Sequence, residues 1–240
     1  MIIIDAPSPN FNARKDGKKI KYLILHYTGS PTAFEALRLL QGDDPAHQVS
    51  AHYLVDETGG VTRLVDEAMR AWHAGKSCWE GETDINSCSI GIEIQNPGHE
   101  HGYVPFPDAQ MQSVVALCLG IIGRHAILPQ NILAHSDVAP DRKKDPGELF
   151  PWEDLAAQGV GLWPKNDDSD ALKTEDIKPA LFRYGYDPGL DEKTLITAFQ
   201  RHFEPEAFLT PGTAGTPTPI TAQRVQALTR QKLALRPKAK

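Results

Sequence analysis

The chain has 240 residues, 40% of them hydrophobic and 23% charged, and carries a formal net charge of −6. That length accommodates one full domain with a smaller partner. The acidic balance excludes wholesale binding to a nucleic-acid backbone, and the composition is that of an ordinary globular protein.

The opening MIIIDAPSPNF has three isoleucines before Asp5, too few for the apolar core of a signal peptide and without a basic flank. No stretch approaches the roughly 18 apolar residues that a membrane helix requires. Cys78, Cys88 and Cys118 cannot all pair within one chain, and their spacing matches neither a zinc knuckle nor a CxxC redox motif. Cys118 falls on an apolar helix face as a small core residue. The expectation is a cytoplasmic protein, or a periplasmic or envelope protein if a leader has been removed.

Residues 20–28, IKYLILHYT, are a run of β-branched and aromatic residues that predicts a buried strand ending at Gly29. TAFEALRLLQG reads as a short helix closed by Gly42, and residues 51–65 as a hairpin around Gly59-Gly60. SCSIGIEIQN alternates, with Ile90, Ile92 and Ile94 on one side and Ser89, Gly91, Glu93 and Gln95 on the other. From Asp108 to Arg124 the apolar positions keep helical spacing. QNILAHSD is a further short strand. The pattern predicts an α/β domain, a mixed central sheet flanked by helices, over residues 1–163.

PKNDDSDALKTED (164–176) has the composition of a linker, so few contacts are expected to cross it. Residues 177–240 hold short helical patterns, IKPALFRYGYD, KTLITAFQRHF and TAQRVQALTRQK, which predict a small all-α module. Tyr184, Tyr186, Phe199 and Phe203 are first of all core in so small a unit, with a sugar-stacking platform as the other reading. The basic residues from Arg224 onward (Arg224, Arg230, Lys232, Arg236, Lys238, Lys240) read as a solvated tail or a dock for anionic polymer or lipid.

Two histidines stand at predicted strand ends, His26 and His135, where a sheet presents functional side chains. Asp145 follows on the loop after His135. The stretch ILAHSDVAPDRKKDPG is either a solvated connection or a ligand loop. Two imidazoles and a carboxylate form a catalytic zinc set that leaves a fourth position open. Glu93 projects from the face opposite the isoleucines, as an exposed acid or as a general base beside zinc-bound water.

LILHYTGS, SAHYLVDETGGV, AWHAG, SIGIEIQN and AHSDVAPDRKKDPG occur in the order found in the zinc-dependent N-acetylmuramoyl-L-alanine amidases of type 2. The chain resembles that family over about residues 5–163; its fold is shared with phage amidase-lysozymes and peptidoglycan recognition proteins. The resemblance implies one Zn²⁺ per chain on His26, His135 and Asp145, with Glu93 as catalytic base and Lys143 stabilising the oxyanion. It also implies a groove for peptidoglycan or muropeptide lined by Tyr27, Trp72 and His73. Residues 177–235 resemble, more weakly, a helical peptidoglycan-binding module and depart from it by the insert TPGTAGTPTP. His52 reads as structural or as support for a ligand. His47, His99, His101, His125 and His202 read as surface residues, and Lys144 carries no role.

The function implied is hydrolysis of the amide between muramic (or anhydro-muramic) acid and L-alanine, in cell-wall recycling or remodelling. A non-catalytic recognition protein is the alternative, which the complete ligand set disfavours. Another zinc hydrolase on a similar scaffold is a third.

Overall fold

The structure, a computed structural model, describes residues 2–43, 46, 48–165 and 172–235. In chain order the first elements are β1 (Ile3–Asp5), β2 (Phe11–Ala13), β3 (Tyr22–Tyr27), α1 (Ala33–Leu40), β4 (Tyr53–Val55), β5 (Val61–Arg63) and β6 (Met69–Ala71). Next come β7 (Ser89–Ile94), α2 (Gly98–His101), α3 (Asp108–His125), β8 (Ile132–Ala134), α4 (His135–Val138) and α5 (Trp152–Ala157). The last are α6 (Ile177–Tyr184), α7 (Glu192–Phe203) and α8 (Pro219–Ala234). Among the described residues no helix is long and apolar enough to cross a membrane.

The main sheet runs β1-β5-β4-β7-β3-β8, and β2 pairs with β6 in a separate antiparallel ribbon. All neighbours in the main sheet are parallel except β4 and β5, the predicted hairpin. β3 lies between β7 and β8, and its residues 22–26 are buried. A strand covered on both faces needs an unbroken apolar run rather than alternation, which is what YLIL supplies.

The two faces sort by parity. Leu23 and Leu25 of β3 join Ile90, Ile92 and Ile94 of β7 in a core under α3, with Val114, Cys118 and Ile121, and under α5, with Trp152. Tyr22 and Ile24 face the other way, with Leu133 of β8, and meet Leu181, Tyr184, Ile196, Phe199, Val225 and Leu228. The C-terminal helices α6, α7 and α8 therefore share a core with the sheet. Of the expected linker, residues 166–171 lie outside the described ones, as do His47, Arg236, Lys238 and Lys240. Polar composition describes a connecting segment itself. It does not report what the next helices pack against, and here many contacts cross.

Trp79, fully buried, is the hinge of that packing. Its ring meets Tyr184 and Tyr186 edge-on at centroid distances of 5.9 and 4.9 Å. Gly185, at φ +143°, ends α6 against it, and a Cβ there would stand 2.6 Å from the indole. The expected basic tail is partly built in as well. Lys232 is buried, donates to the Tyr184 carbonyl, and pairs with Glu80 at 2.8 Å, while Arg224 pairs with Glu206 at 2.7 Å. Tyr184, Tyr186, Phe199 and Phe203 are all core, so they form no sugar platform.

Glu80 also accepts from Lys21 at 2.8 Å and from the Tyr22 hydroxyl at 3.1 Å. Burial opposes its ionisation, but Lys21 and Lys232 outweigh burial and hold its carboxyl down at about 2, against an ordinary 4.5. A depressed folded-state value means stability that is present above 4.5 and lost as pH falls toward 2. Glu80→Gln should cost on the order of 2 kcal/mol near neutral pH, because Lys21 and Lys232 lose a charged acceptor. Urea denaturation should show that the gap closes as pH is lowered through the Glu80 range.

Candidate active site

Parity also places the polar groups. His26 follows Ile24 onto the face of the C-terminal helices, at the carboxyl end of β3. Its cross-strand partner on β7 is Glu93, and Ser89, Gly91 and Glu93 share that face. His135 follows Leu133 by the same count, but as the first residue of α4 rather than the last of a strand, because β8 stops at Ala134. Three parallel strands thus deliver their side chains to one edge, outside the carboxyl ends where open α/β sheets bind ligands.

The loop after α4 returns Asp145 to this edge. Lys143 N donates to the Ala139 carbonyl, and Ser136 N donates to the Asp145 carbonyl, both at 3.0 Å, which closes the loop on itself. His26 Nδ1 and His135 Nδ1 stand 2.9 Å apart, and Asp145 Oδ2 lies 3.0 and 2.9 Å from them. All three residues are buried. They are the group of metal-type ligands found among the described residues, with ligand atoms within 4.8 Å of one another.

The remaining ring nitrogens decide where the protons are. His135 Nε2 donates to the Ala74 carbonyl at 3.1 Å, which selects the tautomer whose Nδ1 is bare. Ser89 Oγ donates to the Ile85 carbonyl at 2.7 Å and accepts from His73 Nε2 at 3.0 Å. His73 Nδ1 is then an acceptor for His26 Nε2 at 3.0 Å, which leaves His26 Nδ1 bare too. Burial and the neighbouring His135 push His26 down to about 4, so its ring is neutral at pH 7. Three acceptors therefore converge with no hydrogen among them. A cation fits that donor set, and little else does.

A groove of about 350 Å³ opens over this centre, lined by Tyr27, Trp72, His73, Glu93, Lys143 and Asp145 among others. Glu93 is half-buried, and its Oε2 lies out of contact with solvent and without a hydrogen-bond partner among the described residues. Burial, then the Asp145 charge, raise its carboxyl well above the ordinary 4.5, and Lys143 works against them. Trp72 Nε1 donates to Asn12 Oδ1 at 3.0 Å. The Tyr27 hydroxyl is 2.9 Å from His99 Nδ1, and His99 Nε2 is 3.1 Å from both Glu148 oxygens.

Of the site residues expected from the sequence, Tyr27, Trp72, His73, Glu93, His135, Lys143 and Asp145 line this groove and His26 is buried against His135 and Asp145, but several neighbours differ from expectation. His99 and Lys144, given no part, both line it. His202 is buried, not on the surface. His52 is buried behind the site, where its Nδ1 accepts from Gly91 N at 3.0 Å. The small residues on β7 were the overlooked signal. Ser89 anchors His73, and Gly91 leaves the space that the His73 ring fills, since a Cβ there would collide with it. Gly91→Ala should displace His73, loosen His26, and lower metal affinity about 10–100-fold, the usual effect of losing an outer-shell partner. Competition with a chromophoric chelator measures this, with circular dichroism to show that the fold is kept.

The family model for N-acetylmuramoyl-L-alanine amidases (Amidase_2) matches residues 16–148, which contain His26, Glu93, His135, Lys143 and Asp145. N-acetylmuramoyl-L-alanine amidase AmiD of Escherichia coli K12 is 38% identical over 217 residues, covering 79% of this chain and 77% of that one. The 1,6-anhydro-N-acetylmuramyl-L-alanine amidase AmpD of Enterobacter cloacae is 34% identical over 168 residues, 62% of this chain and 88% of that one. Among solved structures, the E. coli AmiD complex with anhydro-N-acetylmuramic acid-L-Ala-D-γ-Glu-L-Lys superposes with a TM-score of 0.77 at 36% identity, covering 92% of each chain. With the ligand cluster, the sheet and the matched sequence in agreement, the chain belongs to the N-acetylmuramoyl-L-alanine amidase family of type 2 and is a hydrolase of that kind.

Proposed function

We propose that this chain hydrolyses the amide between the lactyl group of N-acetylmuramic or anhydro-N-acetylmuramic acid and L-alanine of the stem peptide, using one Zn²⁺ held by His26, His135 and Asp145. The observation that carries this reading is the meeting of three proton-free acceptors at the floor of a groove, beside a carboxylate whose Oε2 has no partner among the described residues. The anhydro-muropeptide seen on the AmiD relative supports a soluble recycling fragment as the substrate. Residues 1–163 would carry all of this chemistry, with the helices of 177–234 in support.

When bound, zinc supplies Lewis-acid polarisation of water and of the scissile carbonyl. Glu93 takes a proton from the attacking water. Its raised proton affinity suits this, because the same oxygen must hold that proton through the attack. Glu93 then returns it to the alanine nitrogen, which leaves as an amine. The Lys143 ammonium, which lines the groove, offsets negative charge on the carbonyl oxygen as the tetrahedral centre forms. Tyr27 and Trp72 bound the groove and orient the sugar and stem. His73 contributes by holding His26, and its ring edge reaches the groove as well.

Purified protein should contain one zinc per chain, and a strong chelator should abolish turnover of an anhydro-muropeptide. Metal analysis that finds none after metal-replete expression contradicts the proposal. Glu93→Gln and Lys143→Met should both retain zinc and bind muropeptide nearly as the parent does. Loss of the base should lower kcat by about 10²–10⁴, and loss of the ammonium should also act on kcat rather than KM. Parental turnover in Glu93→Gln would remove Glu93 from the reaction.

A further inference from the structure

Beneath the groove, on the face shared with the C-terminal helices, lies a second polar cluster. Asp137 is fully buried, two residues after His135 in α4. Its Oδ2 accepts from Ala134 N at 2.8 Å and from His202 Nδ1 at 2.7 Å, and its Oδ1 accepts from the Tyr186 hydroxyl at 2.7 Å. The His202 ring is buried and stacks on Trp152 of α5 at a centroid distance of 3.8 Å. A buried carboxylate is costly unless fully partnered. Two of its three partners, Tyr186 and His202, come from the C-terminal helical segment.

The neighbouring residue repeats the arrangement at the other end of the same loop. Arg201, also buried, donates through Nε to Glu148 Oε2 at 3.1 Å. Glu148 follows Asp145 by three residues and receives His99, which in turn accepts from Tyr27, the residue after His26. Asp137 and Glu148 therefore bracket the segment that carries Lys143 and Asp145, and consecutive residues of α7 hold both brackets. Burial opposes ionisation of Glu148, but the His99 and Arg201 partners outweigh it and bring the carboxyl down to about 2, so this bracket is charged at neutral pH.

We propose that Arg201 and His202 are positioning residues for the metal loop: by pinning Asp137 and Glu148 they hold His135, Lys143 and Asp145 in place before a metal arrives. The inference rests on the metal reading given above for what the loop does, but not for how it is held. It gives the C-terminal helices a part in the catalytic centre that requires no glycan binding. Preorganisation of a ligand set in this way raises metal affinity because less loop entropy is lost on binding.

The test uses the full chain with three variants: Arg201→Gln, His202→Phe, and His202→Asn, whose amide keeps a donor near Nδ1. Amide hydrogen exchange is followed in metal-free protein, and zinc affinity by chelator competition. In Arg201→Gln and His202→Phe the Ser136 and Lys143 amides should exchange at least about tenfold faster, while those of β3 and β7 keep their protection. Zinc affinity should fall about 10–100-fold, and His202→Asn should recover most of both. If His202→Phe does not fold, Arg201→Gln and His202→Asn decide the matter by the same two readouts. Parental exchange over residues 135–148 in folded Arg201→Gln, or acceleration spread evenly over the sheet, overturns the proposal. A parent that binds no zinc defeats the metal reading instead, and the exchange data still report on the clamp.

Discussion

His26 Nδ1, His135 Nδ1 and Asp145 Oδ2 lie within 3.0 Å of one another, and the hydrogens that might separate them are committed elsewhere. Left to itself this arrangement is repulsive, because three electron pairs face one another out of solvent. The fold accepts it because each imidazole is anchored from behind, His26 through His73, Ser89 and the Ile85 carbonyl, and His135 through the Ala74 carbonyl. That backing chain fixes which nitrogen faces inward. It also explains a serine at the start of a buried strand and a glycine within it, where β-branched residues would otherwise pack better.

Much of this was legible in the sequence because it depends on parity. The alternation of β7 separated Ile90, Ile92 and Ile94 from Ser89, Gly91 and Glu93, and the run before His26 announced a strand covered on both sides. His26, His135 and Asp145 come together in the structure, and Tyr27, Trp72, His73, Glu93 and Lys143 line the groove beside them. What stayed hidden needed long-range contacts. β1, β2 and β6 are three residues each, too short to show a period. His202 sits in a pattern that reads as an ordinary amphipathic helix, and nothing local marks it as the partner of Asp137, 65 positions away.

The linker-like stretch misled for a related reason. Low apolar content at 164–176 marks where the chain leaves one unit, but the affinity of the next unit for the sheet lies in residues far apart, such as Trp79 and Tyr184. Since the site and the C-terminal helices occupy the same sheet face, the helices that complete the hydrophobic core also reach the metal loop. Core packing and ligand geometry are coupled through α7, and a relative of this family that lacks such helices must hold its loop by other contacts.

A crystal structure of the zinc-loaded protein, with anomalous data collected at the zinc edge, tests the central claim most directly. The account requires a single peak bonded to Nδ1 of His26, Nδ1 of His135 and a carboxylate oxygen of Asp145, with the Nε2 bonds to His73 and Ala74 unchanged. A metal bound through either Nε2, or a peak absent from this centre while zinc sits elsewhere, would contradict it.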